Sequence, residues 1–309
     1  MAVAPVDVAM APGMCIDQRY RLNGLLARGV GSSLWRGTDE LLKRHVAVHV
    51  FESDSARSAD VFDAVCRTSQ LTHGGLAQVF DANESADPPY LVREWIGGRD
   101  LGSALVDGPL DPRCAAEIFR QASEAIAVAH AAGTYHLRLT PRSVAWSKAG
   151  RVKVVGVGID AALTNTWVPE PQLVDAQALA KLLRIALSGR WPHHRAAIYP
   201  TSSQGMRAWV ERHQGIGREL ASIVRRTLHD GSRPIRTAGH LADQLRDVAL
   251  KGRPAAHRPG ISAPDPAIAR RRARVRTLAA STKPLRPPEV SRMHRGGAPL
   301  RTPAATVKP

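Results

Sequence analysis

The chain has 309 residues, enough for one large domain or two small ones, and its 44% hydrophobic content excludes a wholly disordered protein. The net charge of +16 is uneven: residues 251–309 carry fourteen Lys and Arg against Asp265 and Glu289, which leaves only +4 for the first 250 residues. Three scattered cysteines, Cys15, Cys66 and Cys114, exclude a disulfide framework and a thiolate metal site, and no run of about 18 apolar residues offers a membrane span.

Residues 1–14 lack the basic start and apolar core of a signal peptide and read as a disordered N-terminus on a soluble, cytoplasmic protein. Arg19–Leu26 reads as a strand, Ala27–Ser33 as a Gly-containing turn, and Leu34–Thr38 and Val46–Phe51 as further strands of an antiparallel meander. Residues 58–71 have a helical pattern with Val61, Phe62 and Val65 on one face. Ala77–Ala82 and Tyr90–Glu94 read as two more strands. Beyond Gly97-Gly98 the period changes: Ile118, Ala122, Ala125, Ile126 and Ala129 mark a helix that ends at Gly133. A short strand pair follows at Ser143–Trp146 and Val152–Val155. Leu179, Leu182, Leu183, Ala186 and Leu187 then mark a strongly apolar helix stopped by Gly189, and two amphipathic helices, carrying Leu220 to Leu228 and Leu241 to Val248, close the body. Cys66 and Cys114 fall on apolar helix faces and read as core residues. Strands first and helices after make an α+β chain in two lobes. The predicted division is a β-rich lobe at 15–96, a helical lobe at 97–250 and a disordered, Pro/Arg-rich basic tail at 251–309.

Seven segments, in order, resemble the signatures of bacterial Ser/Thr protein kinases. Arg19-Tyr20-Arg21-Leu22 through Trp35-Arg36-Gly37-Thr38-Asp39 resembles the first two strands, and His45-Val46-Ala47-Val48-His49-Val50 the strand that carries V-A-I-K. Leu91 to Gly98 resembles the hinge, His136 to Val144 the catalytic loop, and Val152 to Gly158 the D-F-G region. Val168-Pro169-Glu170 resembles A-P-E, and Ser232-Arg233-Pro234 the Arg-Pro near the family's end. The resemblance implies a bilobal protein kinase-like fold, and it is similar to degenerate kinase-like domains of actinobacterial signalling and cell-envelope proteins.

Kinase catalysis is electrostatic positioning by a phosphate cradle, a lysine, metal-bearing carboxylates and a base. On the resemblance, the three glycine positions of the cradle fall on Ala27, Gly29 and Ser32, the lysine on His49 and the helix glutamate near Ala64. The catalytic aspartate falls on Arg138, which reverses the charge of the base. The loop lysine falls on Thr140, the metal-binding asparagine on Ser143 and the D-F-G aspartate on Gly156. These degenerate positions imply an inactive kinase-like chain, a pseudokinase, with no metal and no cofactor. His49 and Arg138 together are a candidate anion site in the old nucleotide cleft.

Four positions match residues that hold the family's fold. His136 supports the catalytic loop, Asp175 caps the central helix and ties down that loop, and Glu170 and Arg233 form a buried ion pair worth about 3–5 kcal/mol when broken. The functional expectation is a regulatory or scaffold module that binds a signalling or envelope protein. A weak nucleotide-binding switch is one alternative. Another is a tail at 251–309 that binds an anionic membrane at the inner face, or nucleic acid; with no aromatic residue, the tail offers no base stacking.

Overall fold

The computed structural model describes residues 10–29, 31–52, 58–189, 211, 214–229 and 233–251. Expectations for residues 252–309 lie outside the described residues.

Six strands build one antiparallel sheet: β1 (Cys15–Ile16), β2 (Tyr20–Gly29), β3 (Ser32–Asp39), β4 (Arg44–Phe51), β5 (Val79–Asn83) and β6 (Tyr90–Glu94), in the order β1-β2-β3-β4-β6-β5. Side chains alternate across a strand, so the sheet has two apolar faces. Tyr20, Leu22, Trp35, Val46, Val48, Val50, Tyr90 and Val92 pack on one, and Phe51 and Leu91 on the other. Helix α1 (Ser58–Ser69) lays Val61, Phe62 and Val65 on that second face. Cys66 therefore points outward and is exposed, and Cys114 is only half-buried, so neither is the core residue expected.

Two local expectations are corrected. Residues 10–14 are ordered, not disordered: Gly13 N–H donates to Leu22 O at 2.7 Å, Leu22 N–H donates to Met14 O at 2.8 Å, and Met10 and Met14 pack on the Tyr20–Trp35 cluster. A sheet edge leaves unpaired N–H and C=O groups, and this stretch pairs them. The turn expected at Ala27–Ser33 is narrower, because β2 and β3 pair as far as Gly29 opposite Ser32.

The helical part contains β7 (Gly98–Asp100), α2 (Leu101–Leu105), α3 (Pro112–Ala131), β8 (Val144–Ser147), β9 (Val152–Val154), α4 (Ile159–Ala162), α5 (Pro171–Ser188), α6 (Ile216–Leu228) and α7 (Ala238–Lys251). Helix α3 starts where it does because Pro112 needs no amide partner and the Asp111 carboxylate accepts from Arg113 N and Cys114 N. Helix α5 stops at Gly189, whose φ of +65° suits a residue without Cβ. Phe119, Ile126, Leu179, Leu183, Leu220 and Leu241 are fully buried among these helices. The three-stranded sheet β7-β8-β9 sits beside them, and Lys153 Nζ on β9 reaches Glu94 Oε2 on β6 at 2.7 Å, joining the two parts. Among the described residues, no helix is long and apolar enough to cross a membrane.

Candidate functional site

The positions expected to carry chemistry come from both parts of the fold. His49 on β4 stands opposite Leu91 on β6, so His49, Leu91 and, two residues on, Arg93 lie on the same face of the sheet. Arg93 Nε donates to His49 Nε2 at 3.2 Å. His49 is buried at 6% exposure, and burial together with the Arg93 charge drives its imidazole pKa down to about 3. The ring is therefore neutral and accepts from Arg93. This corrects the anion site expected from His49 and Arg138: the neutral His49 ring brings no positive charge to it.

That neutrality has a measurable consequence. An unfolded histidine titrates near pH 6.5, and the folded ring resists protonation until about pH 3. Stability is thus intact above pH 6.5 and falls as pH drops toward 3, by roughly 3 kcal/mol at pH 4. Urea midpoints measured from pH 7 to 4 are expected to fall accordingly, and His49→Gln, which keeps an acceptor for Arg93, should flatten that fall. An equally steep fall in the variant would assign the acid sensitivity to other groups.

Gly156 follows β9 with φ of +91°, a backbone region that side chains disfavour. A Cβ built there would run into the carboxylate of Asp160, which turns back from α4 and fills the space. Asp160 N–H donates to Gly156 O at 2.9 Å and closes this turn. Burial raises the Asp160 carboxyl pKa, while His136, Arg93 and Arg138 each pull it the other way. Burial also lowers the pKa of Arg93, with Asp160 opposing. Arg138 itself is exposed. The buried Asp160 carboxylate thus lies within the electrostatic reach of two arginines.

The remaining positions are occupied otherwise. Ser143 is buried, and its hydroxyl accepts from Thr140 N at 3.1 Å and lies 3.1 Å from Thr140 Oγ1, closing the turn at Pro141–Ser143. Ala64 is buried on α1. Ala27 and Gly29 are exposed and Ser32 half-buried on the β2–β3 hairpin. Among the described residues, no group of three or more His, Cys, Asp and Glu side chains is placed to hold a metal. Two surface hollows, of about 300 and 440 Å³, are lined by Tyr135, Glu170–Leu173 and Arg236–Thr237, and by Trp95–Arg99 and Trp146–Lys148. Neither includes His49, Arg93, Gly156 or Asp160.

The loop beneath the site hangs on Asp175. Its carboxylate is fully buried and accepts from His136 N at 2.8 Å and Leu137 N at 2.7 Å, with His130 Nε2 at 3.0 Å. Leu137 is held at φ +58°, a conformation that costs a non-glycine residue about 1–3 kcal/mol. His136 Nε2 donates to Val155 O at 2.9 Å, tying the loop to the residue before Gly156. Asp175 lies in the second turn of α5 rather than at its cap, which is Glu170. The expected buried pair of Glu170 with Arg233 is not formed. Glu170 pairs with Arg236 at 3.0 Å, and both side chains are about half exposed, so the pair is worth about 0–1 kcal/mol. Arg233 instead turns at φ +61°, and its carbonyl accepts from Arg226 Nε.

Sequence reasoning missed Arg93 and Asp160. Arg93 had a signal, being in phase with buried Leu91 on a strand whose inner face is apolar. Asp160 had none, because only the turn through Gly156 and Gly158 brings it back.

The chain is similar to known kinases in sequence and in fold. It is 34% identical to serine/threonine-protein kinase PknA of Mycobacterium tuberculosis over 172 residues, 52% of this chain and 40% of that protein. It is 34% identical to serine/threonine-protein kinase PknB of Mycolicibacterium smegmatis over 160 residues, 49% of this chain and 26% of that one. The solved PknI kinase domain of M. tuberculosis superposes with a TM-score of 0.58 at 18% identity, covering 78% of this chain and all of that one. No protein-family model matches. The chain thus spans less than half the length of these curated relatives. The fold is that of a protein kinase domain, an antiparallel sheet joined to a helical part, and about half of the chain is similar in sequence to actinobacterial Ser/Thr kinases.

Proposed function

We propose that this kinase-like body does not transfer phosphoryl groups and acts as a regulatory or scaffold module for another protein. The observation that carries the reading is at position 156, where glycine offers no metal-bearing side chain and the Asp160 carboxylate fills the space one would take. Phosphoryl transfer depends on Mg²⁺ held between protein carboxylates and the phosphates. The donor set does not fit that ion: among the described residues no group of three His, Cys, Asp or Glu side chains gathers to hold it, the charges acting on Asp160 are those of arginines, and the Ser143 hydroxyl is spent on its own turn. His49 is neutral where a lysine would hold phosphates, and Arg138 stands where a base would accept a proton.

His136 and Asp175 hold backbone, and Glu170 makes a half-exposed ion pair with Arg236; we assign all three a structural role. Arg233 contributes through its backbone turn. The two lobes divide near residue 96, between β6 and β7. The basic segment 251–309 suits an anionic membrane at the inner face of a cytoplasmic protein.

The test is incubation of the full chain with labelled ATP and Mg²⁺ or Mn²⁺, with itself and a Ser/Thr-rich acceptor as substrates. Turnover is expected at least ~10³-fold below the 1–100 s⁻¹ of protein kinases. Incorporation that follows this chain through successive purification steps would overturn the reading.

A further inference from the structure

The outer edge of the sheet carries a fastening that shares no residue with the cleft positions. Asp17 and Gln18 turn the chain from β1 into β2, and Arg19 N–H donates to Ile16 O across the turn at 3.0 Å. Both turn residues stand at positive φ, 49° and 53°. Turns of this hand suit glycine and asparagine, and a glutamine there is strained. Before the turn the attachments are few. Strand β1 pairs only with Tyr20 and Arg21, Gly13 and Met14 make one backbone bond each to Leu22, and Arg21 Nη1 reaches Gly13 O at 3.2 Å on the exposed side. Ile16 is buried, whereas Gly13, Cys15, Asp17 and Gln18 are exposed. One side-chain bond fastens the turn to another strand: Tyr90 Oη on β6 donates to Asp17 Oδ2 at 2.7 Å. Strand β4, in contrast, is paired on both sides and buried along most of its length.

We propose that residues 10–17 form a releasable strap, latched by the Asp17–Tyr90 bond, that gates the β2 edge of the sheet and the apolar face beside it. Closed, the strap engages the Leu22 N–H and C=O, which a bare sheet edge would leave unpaired, and Met10 and Met14 cover the Tyr20–Trp35 cluster. Open, it presents both. Segments with few buried contacts and exposed hydrogen bonds open well below the free energy of global unfolding, and the strap has those features where β4 does not. Strain in the turn favours opening and the latch opposes it, so the two together set the open fraction. The device is independent of whether the cleft transfers phosphoryl groups.

Native-state hydrogen exchange on the full chain reads the opening. Relative to their intrinsic rates, the Gly13 and Leu22 amides are expected to exchange at least tenfold faster than the protected amides of β4. Low urea should leave the strap amides unchanged and accelerate β4, because a local opening exposes little surface. Tyr90→Phe removes the latch and keeps the buried ring that packs on Tyr20 at 5.6 Å, and it should speed exchange of both strap amides about tenfold. Gln18→Gly, which relieves the turn, should slow them several-fold. If Tyr90→Phe does not fold, as judged by melting, Asp17→Asn at an exposed position replaces it and should speed them several-fold. The proposal is overturned if the strap amides match β4 in rate and urea dependence, if loss of the latch leaves their exchange unchanged, or if Gln18→Gly accelerates it.

Discussion

Replacing Asp175 by alanine is expected to cost about 3–5 kcal/mol and to lower Tm by roughly 10 °C. The carboxylate is fully buried and accepts from the amides of His136 and Leu137 at 2.8 and 2.7 Å while His130 lies at 3.0 Å. Truncation leaves two buried N–H groups without a partner, each at about 1–3 kcal/mol. Leu137, no longer tethered, would also leave its strained φ of +58°. Asparagine should recover part of the loss, since its carbonyl accepts one of the amides. Thermal melts of Asp175→Ala within a degree or two of the parent would show that the loop does not depend on this contact.

His49→Lys, the change toward the lysine that the resemblance implies on β4, is expected to destabilise by about 2–4 kcal/mol. The position is 6% exposed, and the Arg93 Nε lies 3.2 Å from the imidazole. A lysine ammonium placed there would meet a second cation in a poorly hydrated site, so it either deprotonates or forces the strand to move. His49→Gln, which keeps an acceptor, should cost far less. Urea unfolding of the two variants side by side decides the matter; a His49→Lys chain as stable as the parent would mean that Arg93 leaves the cleft freely. The same logic applies at Gly156, where any added side chain collides with Asp160 and the backbone φ is +91°. A charged or larger side chain at either position is thus opposed by its neighbours.

Those two neighbours mark the limit of what was readable beforehand. The apolar spacing of Ile118, Ala122, Ile126 and Ala129 shows α3, and Gly133 and Gly189 show where helices stop, because periodicity and φ preference are local properties of the chain. Asp175 accepts from the His136 and Leu137 amides from one turn inside α5 rather than from its cap, a position that periodicity alone does not assign. Glu170 was paired with the wrong arginine, since the choice between Arg233 and Arg236 depends on the path of the chain after α6, which turns at Arg233. The ordering of residues 10–14 was missed because it comes from an open sheet edge rather than from their own composition.

By itself the sequence determined the succession of strands and helices and the residue types at the positions expected to carry chemistry, among them His49, Arg138 and Gly156. Only the tertiary structure decided which charges meet. Arg93 reaches His49 because β4 and β6 are paired in register, and Asp160 fills the space beside Gly156 because the chain doubles back through two positive-φ glycines. Residue type is carried by each position alone, whereas electrostatic partnership depends on distance, and distance between residues far apart in sequence is set by the fold.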